Sequence, residues 1–231
     1  MYTLHIANKN YSSWSLRPWI LLRQLDIAFQ EEMHAFQADI QEQRRAFSTF
    51  SPSAKVPVLV DGNIVVWDSL AIAEYLAESH PDVWPQDIAA RAWARSAASE
   101  MHSGFFHLRE CCSMNCAVRA RLHAMTAELQ ADVLRINSLL NEGLARFGGP
   151  FLAGSRFTAV DAMYAPVIFR IQTYDLQMKG DASSYVTRIL ALPGMQQWYA
   201  QALSESEQDQ VHEQDVLRYA DIVRDERQPR S

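Results

Sequence analysis

Two hydrophobic periods alternate over the first eighty positions. Residues 2–7, YTLHIA, alternate apolar and polar side chains through Ile6, the pattern of a half-buried strand. Residues 17–25, RPWILLRQL, have the spacing of a short buried helix, with Pro18 in a first turn where no backbone N–H is required. Residues 28–34 allow a second strand, and 38–47 a polar helix. Two apolar runs, Val58–Val60 and Ile64–Trp67, flank Asp61-Gly62-Asn63, the turn chemistry of a β-hairpin. Residues 69–79, SLAIAEYLAES, return to helical spacing. The order β-α-β-α-β-β-α predicts an α/β layer.

The pattern then changes. His80–Asp87, HPDVWPQD, carries two prolines and reads as a linker. Three segments follow: an α/β domain over 1–79, a linker over 80–88, and a second domain over 89–231. No strand is expected in the second domain. Ala89 to about Met114 and Ala117 to about Phe147 have the spacing of long amphipathic helices, and Gly148-Gly149-Pro150 stops the second. Shorter helices are predicted near 158–172 and 194–203. The charged tail starts at Ser204. Val211, Val216, Leu217, Ala220 and Val223 allow one last helix in it, and RDERQPRS is expected to be loose. The expected fold class is an α/β domain followed by an all-α domain.

Composition narrows the function classes. The net charge is −6 and the 21 Lys and Arg are dispersed, without the basic stripe of a nucleic-acid surface. No apolar run approaches the roughly 18 residues of a membrane span. The N-terminus lacks a basic segment leading into an apolar one, so a cytoplasmic location is expected. Cys111, Cys112 and Cys116 match no zinc or C-x-x-C spacing and read as ordinary helix residues. No metal site is expected.

Four local signals carry candidate chemistry. Asn10-Tyr11-Ser12-Ser13-Trp14-Ser15 lies between the first strand and the first helix. Its hydroxyls suit helix capping, which accounts well for Ser15. The same helix end also favours an anion, and a hydroxyl there can donate to a thiolate. Val56-Pro57 precedes the hairpin, where a proline can open a strand in either isomer. Asp68-Ser69 opens the third helix, as an N-cap, as a carboxylate-binding start, or as both. Thr158 and Asp161 have capping-box spacing, which points to folding and not to catalysis.

These segments together resemble the glutathione transferase family over about residues 2–203. NYSSWSLRPW, SPSAKVPVLVDG with WDSLAIAEYL, and FLAGSRFTAVDAMYAPV occur in the family's order and spacing. The paired serines are most similar to the bacterial serine-type classes, nearest to the zeta class that includes maleylacetoacetate isomerases. Trp14 stands where zeta members usually have Cys, and Asp68 where Glu is commoner. The resemblance implies a thioredoxin-like first domain, with glutathione as co-substrate and no further cofactor. It places thiol activation on Ser12, or on the adjacent Ser13. It assigns Lys55 to the glycine carboxylate and the Val56 backbone, aimed by a cis Pro57, to the cysteinyl part. Asp68 and Ser69 take the γ-glutamyl end, and Thr158 with Asp161 form the helix cap.

A thiol of pKa about 8.5 needs about 2.7 kcal/mol of thiolate stabilisation to drop by roughly two units. A hydroxyl hydrogen bond to a charged acceptor supplies about 1.5–3 kcal/mol. A helix N-terminus adds about 0.3–1 kcal/mol. The thiolate would attack a small electrophile beside the helical domain. Trp14, Met101, Phe105, Phe106 and Arg109 are candidate walls of that pocket, the last four equally readable as core or dimer contacts. Homodimerisation is expected, with Glu100 reaching across to the glutathione amino group. Net transfer, glutathione-dependent cis–trans isomerisation and a non-catalytic binding module are the functional alternatives.

Overall fold

β1 (Tyr2–Ala7) runs through the first core. Leu4, Ile6 and Ala7 are buried along it. In the computed structural model, which describes residues 1–227, it pairs in parallel with β2 (Phe29–His34) and antiparallel with β3 (Val58–Asp61). The hairpin places β4 (Ile64–Trp67) on the edge, giving a sheet in the order β2-β1-β3-β4. Between the strands lie α1 (Ser13–Gln24) and α2 (Ile40–Phe47), and α3 (Ser69–Ser79) closes the unit. This is the thioredoxin-like α/β arrangement. Asp39 caps α2 by accepting from the backbone of Gln41 and Glu42. The helix α1 starts four residues earlier than its apolar spacing indicates. Pro18 therefore lies inside it and not in its first turn.

A 3-10 turn at Pro81–Val83 leads into the helical domain. The long helix expected over 89–114 is two helices, α4 (Ile88–Ser103) and α5 (Phe106–Cys111). The break is local. Gly104 is extended, and Phe105 is left-handed with φ 56°. A Cβ at position 104 would sit 2.7 Å from the Glu100 carbonyl oxygen, so the chain passes only with glycine. Next come α6 (Ala127–Phe147), capped by Thr126, and α7 (Ala159–Tyr174), which is buried almost throughout. The helix α8 (Asp181–Leu190), absent from the sequence reading, and α9 (Pro193–Leu203) follow. α1 packs on α7, joining the two domains.

The helical domain also carries two strands where helices were expected. β5 (Val118–Leu122) pairs antiparallel with β6 (Ala220–Asp225), after α10 (Gln210–Leu217). VRARL alternates apolar and charged residues, the strand period, and its partner lies about a hundred residues away. The tail thus returns to the body of the protein. Of the expected loose end, 224–227 is ordered against β5 and Glu213, while 228–231 lies outside the described residues.

Asp161, fully buried, ties the helical domain together. It accepts from the Thr158 N–H at 2.9 Å, the Thr158 hydroxyl at 3.3 Å, the Leu152 N–H at 3.0 Å and the Tyr185 hydroxyl at 2.9 Å. The Thr158–Asp161 pair forms the capping box at the start of α7.

Candidate active site

The loop from β1 to α1 is buried although it is polar. Asn8, Lys9 and Asn10 are each at most 5% exposed. Such groups must be satisfied. Asn8 Oδ1 accepts from the Phe36 N–H, and Asn10 Oδ1 accepts from the Ala117 N–H. The Lys9 carbonyl receives the Trp198 indole N–H at 2.8 Å. These bonds anchor the loop to both domains and set Tyr11, Ser12 and Ser13 at the head of α1.

Ser12 occupies the N-cap position, yet its side chain caps nothing. Its hydroxyl donates to Ser15 Oγ at 2.7 Å, and Ser15 Oγ accepts the Ala7 N–H at 3.2 Å. Ser15 is therefore not a cap: it sits inside α1 and binds the helix to β1. Ser12 and Ser13 both line a cavity of about 430 Å³ with Trp14, Lys55, Val56 and Arg109.

A second cavity, about 380 Å³, adjoins the first through Trp14, Lys55 and Val56, and extends to Pro57, Asp68, Ser69 and His102. Val56-Pro57 is cis. The Val56 backbone has no hydrogen bond among the described residues. Asp68 has φ 77°, a conformation ordinarily left to glycine. Its Oδ1 accepts from the Leu70 and Ala71 N–H groups, and its Oδ2 faces His102 Nε2 at 3.3 Å. Ser69 is buried, and its Oγ accepts from Arg17 Nη1 at 3.5 Å. A larger cleft of about 540 Å³ lies between the linker and the α6–α7 loop, remote from these serines.

The model of the glutathione S-transferase N-terminal domain matches residues 11–79, and that of the C-terminal domain matches residues 117–201. The chain belongs to the glutathione S-transferase family. Among its relatives, a probable maleylacetoacetate isomerase of Caenorhabditis elegans is 28% identical over 186 residues, covering 76% of this chain and 79% of that protein. A probable maleylacetoacetate isomerase of Vibrio cholerae is 26% identical over 214 residues, covering 86% and 94%. A glutathione transferase homologue from Burkholderia, solved with bound glutathione, superposes with TM-score 0.63 at 22% identity. That match covers 87% of this chain and 97% of the other.

Within this glutathione S-transferase fold, the residues singled out from sequence divide. Ser12, Ser13, Trp14, Lys55, Val56, Pro57, Asp68, Ser69 and Arg109 all line the two adjoining cavities. Met101, Phe105 and Phe106 line neither. Met101 and Phe105 are buried in the core, and Phe106 is 68% exposed on the outer surface. The break at Gly104 re-aims Phe105 and Phe106, while Met101, before the break, faces the core from α4. Glu100, expected to reach across a dimer, makes a bidentate pair with Arg135 of its own chain.

Sequence reasoning missed Tyr11, His102, Arg170 and His212, which border the cavities, and Arg17, which lies behind Ser69. Arg170 had a legible signal, a lone cation in the apolar run AMYAPVIFRI. The others depend on partners distant in sequence. The Tyr11 hydroxyl donates to Glu213 Oε1 at 2.6 Å, and the His212 ring stacks on Tyr11 and Phe36. Burial, reinforced by Glu213, raises the Tyr11 pKa.

The cysteines are buried thiols, at the C-terminal end of α5 and in the loop before β5. Burial pushes Cys112 up to about 12 and raises Cys111 and Cys116 as well. Among the described residues, no group of three or more His, Cys, Asp or Glu could hold a metal ion. No helix there is long and apolar enough to cross a membrane.

Proposed function

We propose that this family member is a glutathione transferase in which Ser12 stabilises the glutathione thiolate for attack on a small electrophile. The observation that carries this reading is the Ser12 hydroxyl at the head of α1. It lines a cavity that opens onto the Val56, Asp68 and Ser69 surface. Extended glutathione spans the two cavities. Its γ-glutamyl end meets Asp68 and Ser69, its cysteinyl backbone pairs with Val56, and its glycine carboxylate lies near Lys55.

Hydroxyl rotors exchange donor and acceptor roles freely. With a thiolate present, Ser15 donates to Ser12 and Ser12 donates to sulfur. The Ala7 N–H supports the far end of that chain, and successive bonds of this kind polarise one another. The thiol proton leaves to water. The thiolate forms the new C–S bond and expels a leaving group such as halide, or adds to an activated double bond whose other carbon then takes a proton from water.

A second reading is favoured by the two maleylacetoacetate isomerase relatives. In that reading the thiolate adds to a cis double bond, the resulting single bond rotates, and the thiolate is expelled. Nothing is transferred. Incubating the protein with glutathione and, in turn, aryl halides, peroxides and maleylacetoacetate separates the two. Stable conjugates support transfer, and isomer without conjugate supports isomerisation. Failure to bind glutathione overturns both readings.

A homodimer is part of the proposal. Ile64, Val65 and Trp67 leave the edge strand β4 partly apolar to solvent, and Phe106 is exposed on α5. A second copy would cover them.

A further inference from the structure

Arginine placement is uneven in this protein. Arg95, Arg135, Arg156 and Arg227 each hold a carboxylate at 2.7–2.9 Å. Arg17, Arg109 and Arg170 do not: among the described residues, none has a carboxylate within ion-pair distance. Arg91, Arg119 and Arg188 also lack a carboxylate but donate to backbone carbonyls away from this site. Arg17, Arg109 and Arg170 are the ones grouped around Trp14 and the Ser12 cavity.

Arg170, 6% exposed on α7, donates one Nη1 hydrogen bond to the Cys112 carbonyl. Arg109, at the end of α5, donates from Nη2 to the Met101 and His102 carbonyls, and its Nε is buried without a partner. Arg17, 3% exposed, reaches Ser69 through Nη1, and its Nε is likewise unpartnered. Arg17 and Arg109 both lie over the Trp14 ring, at 4.1 and 4.8 Å from its centroid. The three cations repel one another. Burial, and after it Arg109 and Arg170, lowers the Arg17 pKa, and burial pushes Arg170 down to about 10. Asp68 and Asp132 offset part of this from beyond ion-pair distance. Buried charge without a counter-charge is unfavourable unless a ligand supplies one.

We infer that the electrophile carries an anionic group, a carboxylate or a comparable oxyanion, received by Arg109 and Arg170 at the far wall of the cavity. Both line the cavity that contains Ser12, and neither lines the one that contains Asp68 and Ser69. No Asp or Glu lines the Ser12 cavity. Lys55 there is taken by the glycine carboxylate in the reading above, and His212 is paired with Asp209, which leaves Arg109 and Arg170 for a further anion. Tyr11, Phe36 and Met114 supply the apolar surface for the rest of the molecule. The planar guanidinium suits bidentate carboxylate recognition. An anion held there would be desolvated by the walls while its electrophilic carbon faces the sulfur at Ser12. This rests on the glutathione transferase reading and narrows its substrate class.

The test is calorimetric binding of two S-aryl glutathione conjugates that differ at one group. S-(4-carboxy-2,6-dinitrophenyl)glutathione carries the anion, and its 4-carbamoyl analogue is neutral and similar in shape. Glutathione itself is titrated alongside. The expected result is a carboxylate preference of roughly 10-fold or more, collapsing below about 3-fold in Arg109→Gln and in Arg170→Gln, with Arg109→Lys retaining part of it. A preference ratio is unmoved by a uniform structural effect. Arg109→Gln, at a partly exposed site, keeps the test open if Arg170→Gln does not fold. Equal affinity of the wild-type protein for the two conjugates would overturn the inference, as would a preference unchanged in the folded glutamine variants. Glutathione binding without conjugate discrimination defeats only this inference. Absence of any glutathione binding defeats the transferase reading beneath it as well.

Discussion

Asp161→Ala removes the acceptor of four hydrogen bonds inside the helical domain. The Thr158 and Leu152 N–H groups cannot turn away, and the Tyr185 hydroxyl is fully buried, so three donors lose their partner. Leaving a buried donor unpaired costs about 1–3 kcal/mol each, partly relieved by relaxation. A compensating gain exists: burial pushes the Asp161 carboxyl up to about 6 despite its donors, so ionised Asp161 is itself unfavourable at neutral pH by roughly 3 kcal/mol. The net expected loss is about 2–4 kcal/mol, or about 5–15 °C in melting temperature for a chain of this size.

The pH dependence follows from the sign of that shift. The folded pKa, about 6, exceeds the unfolded value of 3.8. The group's stabilising proton is therefore fully held below about pH 4 and lost as pH rises through 6. The stability gap between wild type and Asp161→Ala should be roughly 1.4 kcal/mol wider at pH 5 than at pH 8. Denaturant unfolding at both pH values measures it. A gap that narrows on acidification would show that the four donors outweigh burial and that the carboxyl is depressed. A variant that melts with the wild type would refute the structural role altogether.

Three further outcomes are expected. Iodoacetamide at pH 7.5 should leave Cys111, Cys112 and Cys116 unmodified in the native protein and alkylate all three in urea; fast native labelling would contradict their burial. Glu213→Ala strips the acceptor from Tyr11, Asn115 and Arg227, and should cost about 1–3 kcal/mol while exposing the tail to trypsin; wild-type resistance would contradict the anchoring of α10. Light scattering should give twice the 26.3 kDa chain mass at micromolar concentration, and an active monomer would remove the dimer from the proposal.

The α/β half was legible because its signals are local. A two-residue period, an Asp-Gly turn and a capping Asp each act within a few positions, and the strands and α2 and α3 lie where those signals put them. The start of α1 escaped because Trp14 and Ser15 carry no apolar period. The helical half was legible in its long helices and in the Thr158–Asp161 box, but not where distant residues decide. β5 exists because β6 returns to pair with it. The α4–α5 break depends on how closely residue 104 approaches the Glu100 carbonyl. The pocket wall was misjudged for a related reason: Met101 and Phe105, four apart, turn into the core, and Phe106 falls on the opposite, solvent side of the break. The serines, the Val56-Pro57 segment and the Asp68-Ser69 pair were found from short motifs. Arg170 had a signal that was passed over, a lone cation in an apolar run, whereas Arg17 became a candidate only once Trp14 and Ser69 were seen to meet it.

The central claim is that the Ser12 hydroxyl stabilises a thiolate, and the ionisation of bound glutathione tests it most directly. Thiolate absorbance, followed against pH in the complex, gives the bound thiol pKa in the wild type and in Ser12→Ala, with Ser13→Ala as the neighbouring control. The wild-type complex should titrate about two units below the free thiol's 8.5, and Ser12→Ala should recover roughly 1–2 units of that shift, with turnover falling about 10²-fold. The same pKa in wild type and Ser12→Ala would contradict the account. Recovery in Ser13→Ala alone would contradict the assignment to Ser12.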